Sequence, residues 1–212
     1  MQEYKNKLST ALLSDILEDI GYSNQLLPIE IKPNFVEAKI FGRARTMTLK
    51  SITEKEDYRE VYKGLIFLEQ LVPGEILIVA NGFADCAFFG ELMSTLAKRQ
   101  GIEGAIIDGV TRDTSETIKM QYPVFARNNY ARDIKKKGIV DKTDISVKVG
   151  EATICKGDLI LGDYDGVIVI PKTVESEVLA KAIKNYSSEQ KIKEMINRGA
   201  SVEELLKEFG EF

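Results

Sequence analysis

Two short apolar runs rich in β-branched residues, Glu75 to Ala80 (EILIVA) and Gly104 to Asp108 (GAIID), flank one amphipathic segment. That arrangement constrains the fold more than any other feature of the chain. Short apolar runs bounded by turn signals read as strands covered on both faces. Between them Phe89, Leu92, Met93, Leu96 and Ala97 recur at helical spacing from a start near Gly90, while Lys98, Arg99 and Gly101 form a favourable C-terminal end. A strand, a helix and a second strand in one sheet imply a parallel pair with a crossover. The expectation is an α/β fold.

The flanking regions are consistent with it. Leu12, Leu13, Ile16, Leu17 and Ile20 predict an amphipathic helix with Ser9 as N-cap and Gly21 as stop. After a loop with Pro28 and Pro33, Ala38 to Phe41 and Ala44 to Lys50 read as short strands broken at Gly42. Glu56 to Leu71 reads as a charged helix ended by Pro73-Gly74. The later half is richer in strands: Pro123 to Arg127, Ile145 to Val149 with Thr153 to Cys155 about Gly150-Glu151, and Leu159 to Leu161 with Val167 to Ile170 about Asp163-Tyr164-Asp165-Gly166. From Thr173 the pattern is helical, and Ser201 with Glu204 has the spacing of a capping box. A chain of 212 residues suits one domain. Residues 1–171 are expected to form it and 172–212 to form a helical extension, packed on the same domain or on a neighbouring subunit.

Composition narrows the chemistry. The chain has no histidine, which excludes Ser-His-Asp and Cys-His nucleophilic sites, zinc sites of the usual histidine type and imidazole acid-base catalysis. A metal would have oxygen ligands, favouring Mg²⁺, Mn²⁺ or Ca²⁺. The formal charge of −4, with both signs interspersed, offers no basic face for nucleic acid, and Lys135-Lys136-Lys137 before Gly138 reads as a solvated loop. Cys86 and Cys155 make no disulfide framework and fit a reducing cytoplasm. Met1 to Leu8 is polar, and no stretch of about 18 apolar residues occurs, so neither an export signal nor a membrane span is expected.

The candidate site lies after the second strand, where Asp108 runs into Gly109-Val110-Thr111-Arg112-Asp113. Open α/β sheets bind ligands at the carboxyl ends of their strands. A helix starting near Gly90 leaves the amides of Glu91, Leu92 and Met93 without intrahelical acceptors, a setting that binds anions. If the two converge, the amides and the Arg112 fork could hold a small carboxylic acid and Asp113 a divalent cation, which would stabilise an enolate. The same residues also fit a plain surface ion pair and a helix-dipole Glu91. Cys86 reads as buried filler, and Ser14-Asp15, Asp163 and Asp165 as helix and turn residues.

Gly90-Glu91-Leu92-Met93, Gly104-Ala105-Ile106-Ile107-Asp108-Gly109 and Arg112-Asp113 together resemble the central signature of the RraA-like family. The similarity runs from Leu8 through Gly42-Arg43-Ala44 and Pro123-Val124-Phe125-Ala126-Arg127 to Gly157-Asp158, Asp165-Gly166-Val167 and Pro171. That family includes 4-hydroxy-4-methyl-2-oxoglutarate/4-carboxy-4-hydroxy-2-oxoadipate aldolases. Its aldolases carry an acid, twenty intervening residues and Arg-Asp, as do Glu91 and Arg112-Asp113 here, although the usual acid is Asp. The resemblance implies a swivelling β/β/α domain assembled as trimers or hexamers with interfacial sites. It further implies that Arg112 and the Leu92 and Met93 amides beside Gly90 bind a pyruvate-like carboxylate, that Asp113 ligates Mg²⁺ or Mn²⁺, and that Glu91 reaches the metal through water. The implied activity is a metal-dependent lyase that cleaves a 4-hydroxy-2-oxo acid to pyruvate, with oxaloacetate decarboxylation alongside. The alternative is a regulatory protein that, like RraA, binds and inhibits a ribonuclease.

Overall fold

The computed structural model describes residues 2–210. Two helices open the chain, α1 (Gln2–Lys7) and α2 (Thr10–Asp19), the second capped by the Ser9 hydroxyl accepting the Leu12 amide. Strands β1 (Lys32–Pro33) and β2 (Ile40–Ser51) follow, then a 3-10 turn (Tyr58–Tyr62), α3 (Lys63–Glu69) and β3 (Glu75–Ala80). Next come α4 (Glu91–Arg99), β4 (Gly104–Thr111), α5 (Thr114–Lys119) and β5 (Val124–Asn129). The remainder comprises β6 (Gly138–Thr143), β7 (Val147–Val149), β8 (Ala152–Ile154), β9 (Leu159–Gly162), β10 (Val167–Ile170), α6 (Glu175–Asn197) and α7 (Val202–Phe209).

The expected crossover is present: β3 and β4 pair in parallel, with Ile76 opposite Gly104, and α4 connects them. Parallel pairing extends to β2 on one side and β5 on the other. The eight-stranded sheet runs β1-β5-β4-β3-β2-β9-β10, with β6 also paired to β2. Alternation along β3 separates the two cores. Leu77 and Val79 pack with Leu68, Phe89, Met93 and Ala97 on the helical side, whereas Ile76, Ile78 and Ala80 meet Val147, Val149, Ala152 and Ile154 of the β7-β8 hairpin. The domain is thus layered as hairpin, sheet and helices, the β/β/α arrangement. A third cluster joins Leu13 and Leu17 of α2 to Phe41, Leu161, Ile168 and Ile170 of the sheet and to Val178 and Ala182 of α6, so the first part of the C-terminal helix packs on its own chain. Ser201 and Glu204 form the expected reciprocal capping box at α7.

Several local expectations are corrected. Gly42 does not break β2, which is continuous for 12 residues. Its glycine serves a close approach: a Cβ there would stand 2.3 Å from the Gly74 carbonyl oxygen. The predicted helix from Glu56 begins as the 3-10 turn, where the Asp57 carboxylate accepts the Arg59 amide, and becomes α-helical only at Lys63. Both β6 and α5 lack a sequence counterpart, for β6 buries only its first three residues and α5 has only six.

Candidate active site

Two hydrogen bonds bring the entry of α4 to the exit of β4. The Arg112 amide donates to the Phe89 carbonyl at 3.1 Å, and the Thr111 hydroxyl donates to the same oxygen at 2.8 Å. Gly90, the N-cap of α4, therefore lies against Arg112 and Asp113. A Cβ at Gly90 would be 2.6 Å from Asp113 Oδ2 and 3.1 Å from Arg112 Cγ, so any larger residue here would displace the two side chains. Asp113 Oδ2 accepts the Glu91 amide at 3.2 Å, and a carboxylate at the first turn of a helix is where its dipole favours negative charge. Arg112 Nε lies 3.5 Å from that same oxygen.

Asp113 itself has φ 55° and ψ 33°. This left-handed conformation is uncommon for a residue with a side chain but tolerated best by Asp and Asn. Here it lets the residue start α5, its carbonyl accepting the Glu116 and Thr117 amides, while its carboxylate turns back toward α4.

The other side of Arg112 is held by Asp133, whose Oδ2 is 2.7 Å from Nη1. Sequence reasoning missed this residue. It arrives through a bridge between the chain at Ala87 and at Asp133, in which the Ala87 amide donates to Arg132 and the Ile134 amide donates back to Ala87. No local signal marks it, because the pairing spans more than forty positions.

Glu91, Arg112, Asp113 and Asp133 stand on the wall of a pocket of about 300 Å³ with Gly90, Leu92, Met93 and Lys135. Val61, Tyr62, Leu65, Phe88 and Ile134 complete the lining. Every site residue expected from the sequence is thus in one place. Leu92 nevertheless departs from its expected position on the apolar face: it is 80% exposed, because the buried stripe of α4 runs through Met93, Ser94 and Ala97 and leaves the second helical residue facing the pocket mouth. Phe89 is buried, but in the strand-like segment before the helix. Lys135 to Lys137 are exposed as expected, and Lys135 both lines the pocket and approaches the Tyr58 ring, with Nζ 5.4 Å from its centroid.

Asp108 does not join the cluster. It pairs with Arg127 Nε at 2.6 Å, in a separate cleft shared with Glu30. Asp163 is a structural cap, taking the Thr10 amide at 2.9 Å and the Thr10 hydroxyl at 2.6 Å. Cys86 is buried, and burial pushes its thiol pKa up, away from nucleophilic behaviour.

Among the described residues no group of three or more acidic or cysteine side chains is placed to hold a metal by protein ligands alone. The pocket instead offers the hard carboxylate oxygens of Asp113 and Glu91. A donor set this sparse suits Mg²⁺, which keeps several waters and shares its site with substrate oxygens. No helix among the described residues is long and apolar enough to cross a membrane.

The family model for RraA-like proteins, described as Aldolase/RraA, matches residues 10–169. The chain belongs to the RraA-like family. A relative from Halalkalibacterium halodurans, named "Putative 4-hydroxy-4-methyl-2-oxoglutarate aldolase", is 32% identical over 184 residues, covering 86% of this chain and 82% of its own length. A crystal structure of an uncharacterized protein from Pseudomonas syringae pv. tomato superposes with a TM-score of 0.86 at 27% identity, covering 99% of this chain and 95% of that one. Streptomyces coelicolor RraAS2, described as an unusual member of the RNase ES inhibitor RraA protein family, shares the RraA-like fold with a TM-score of 0.77 at 23% identity, over 90% of this chain and 96% of its own.

Proposed function

We propose that this RraA-like chain is a divalent-metal-dependent lyase that cleaves a 4-hydroxy-2-oxo acid to pyruvate and a second carbonyl compound, and that the same site decarboxylates oxaloacetate. One arrangement carries the reading: the Asp113 carboxylate and Arg112 guanidinium stand side by side at the start of α4, on the wall of an open pocket. The aldolase names of relatives at about this level of similarity support it.

In this scheme the Arg112 fork and the amides of Leu92 and Met93, beside Gly90, bind the carboxylate of the 2-oxo acid. Asp113 would hold Mg²⁺ or Mn²⁺, with Glu91 beside it as a further oxygen donor. Bound there, the cation supplies positive charge where the enolate develops. Asp133 fixes the guanidinium, so that its donors are oriented before substrate arrives. Cleavage breaks the C3–C4 bond. The 4-hydroxyl proton passes to Glu91 by way of water, C4 becomes a carbonyl carbon, and the bonding pair moves to C3 as the enolate of pyruvate. A proton returned to C3 completes the pyruvate methyl group. In oxaloacetate the same pair comes from the bond to the departing carbon dioxide. We place the protein in the cytoplasm as a homo-oligomer, trimeric or hexameric, with a small 2-oxo acid as its ligand and no nucleic-acid partner. Residues 172–212 are proposed as an extension of the catalytic domain.

The test is pyruvate release from 4-hydroxy-4-methyl-2-oxoglutarate and from oxaloacetate, with and without Mg²⁺ or Mn²⁺, in the wild type and in Asp113→Ala and Arg112→Ala. Metal-dependent turnover lost in both variants is the expected result. Turnover no faster than free metal would refute the lyase and leave the ribonuclease-binding alternative.

A further inference from the structure

Two cations stand on the wall of the pocket, Arg112 and Lys135, and they are engaged differently. Arg112 already has carboxylates: Nη1 lies 2.7 Å from Asp133 Oδ2, and Nε 3.5 Å from Asp113 Oδ2. Lys135 has no ion pair with a carboxylate among the described residues; its Nζ lies 5.4 Å from the centroid of the Tyr58 ring instead. A ring face orients an ammonium electrostatically without using any of its three N–H donors. Lys136 approaches the same ring, at 5.8 Å, but is not part of the pocket wall.

Asp133 ties the two wall cations together. Its Oδ2 takes the Arg112 guanidinium, and its Oδ1 accepts the Lys135 amide at 2.5 Å. One carboxyl group thus fixes the guanidinium and the root of the lysine side chain relative to each other. With a 2-oxo carboxylate on Arg112 and the α4 amides, the far end of the acid still has to be matched. A second carboxylate there meets a wall that already carries Glu91, Asp113 and Asp133. A divalent cation on Asp113 offsets part of that charge, but it serves the 2-oxo end, where the enolate develops. Lys135 is the wall cation with no carboxylate of its own, and its unused donors make it a charge-assisted partner for an anion.

We infer that Lys135 is a specificity-determining residue, its ammonium receiving the distal carboxylate of a five-carbon dicarboxylic 2-oxo acid, so that the site favours such acids over monocarboxylic ones of equal length. Oxaloacetate is one carbon shorter and its second carboxylate is the group that departs, so the role belongs to the longer acids. The inference rests on the proposed placement of the 2-oxo carboxylate, and an acid that lacks the second carboxylate separates the two. Calorimetric titration of the full-length protein in Mg²⁺ uses two such acids without the scissile 4-hydroxyl: 2-oxoglutarate, and 2-oxopentanoate, which has a methyl group in place of the distal carboxylate. The wild type is expected to bind 2-oxoglutarate tighter by roughly tenfold, the scale of one charge-assisted hydrogen bond. Lys135→Met should abolish that advantage while leaving 2-oxopentanoate binding within about twofold. Lys135→Arg should retain it, and so should Lys136→Met, which removes a neighbouring charge from the same ring. Both lysines are exposed, so these variants leave the core untouched. Equal binding of the two acids by the wild type would overturn the inference while leaving the carboxylate site standing. So would an advantage that survives Lys135→Met or falls equally in Lys136→Met. Binding of neither acid would overturn both readings.

Discussion

Replacing Gly90 by alanine separates the stability of this fold from the geometry of its site. The new Cβ would lie 2.6 Å from Asp113 Oδ2, whereas ordinary contact begins at 3.4 Å, so the carboxylate must retreat by about 0.8 Å. The backbone raises no objection, since φ at Gly90 is −165°, an extended value open to any residue. The obstacles are two partly exposed side chains that can shift, the Asp113 carboxylate and, at 3.1 Å, Arg112 Cγ, and the hydrogen bond surrendered, from the Glu91 amide, is long at 3.2 Å. The stability cost should be near 1 kcal/mol or below, a fall in Tm of about 2–4 °C for a chain of this size. The effect on turnover should be far larger, because a displacement near 1 Å at a catalytic group costs on the order of 100-fold. Differential scanning calorimetry and metal-dependent pyruvate release, measured on the same preparation, give both quantities. Wild-type kcat/KM in Gly90→Ala would refute the claim that the position of Asp113 matters. An unfolded variant would refute the claim that only movable side chains are in the way.

Gly42→Ala should behave in the opposite sense, because its Cβ meets a backbone oxygen, that of Gly74, at 2.3 Å. A loss of about 1–3 kcal/mol in urea denaturation is expected, against a change within roughly 0.5 kcal/mol for Gly166→Ala, which meets nothing within 4 Å. Glu175 binds Arg43 through both its oxygens, at 2.5 and 2.7 Å, tying α6 to β2. The Arg43 hydrogen bonds and charge hold its carboxyl below the usual value of 4.5, against the opposing pull of partial burial. A depressed folded pKa gives stability that is complete above the unfolded value and is lost as pH falls through the folded one. The deficit of Glu175→Gln relative to wild type should therefore be constant above about pH 5.5 and shrink below 4.5, as read from urea midpoints across pH. A deficit unchanged into strong acid would remove the ion pair as its cause.

Much of this protein was legible without coordinates, and what was legible shares a short range. Strand β3, helix α4 and strand β4 follow from apolar periodicity within about ten residues at a time, and the caps at Ser9 and Ser201 from neighbours three positions away. Arg112-Asp113 could be assigned to the exit of a parallel strand for the same reason. The absence of histidine removed whole classes of catalysis outright. Tertiary structure alone decided the rest. The convergence of Gly90 with Asp113 depends on two bonds to the Phe89 carbonyl from residues more than twenty positions away. Asp133 reaches Arg112 through a bridge to Ala87, and Leu92 faces the pocket because the buried stripe of α4 lies one position round the helix. Gly42 looked like a strand break from its neighbours, yet it is the point at which another segment comes close. Local periodicity reports which face of an element is apolar. Which distant backbone will lie against that face is fixed only when the chain closes on itself.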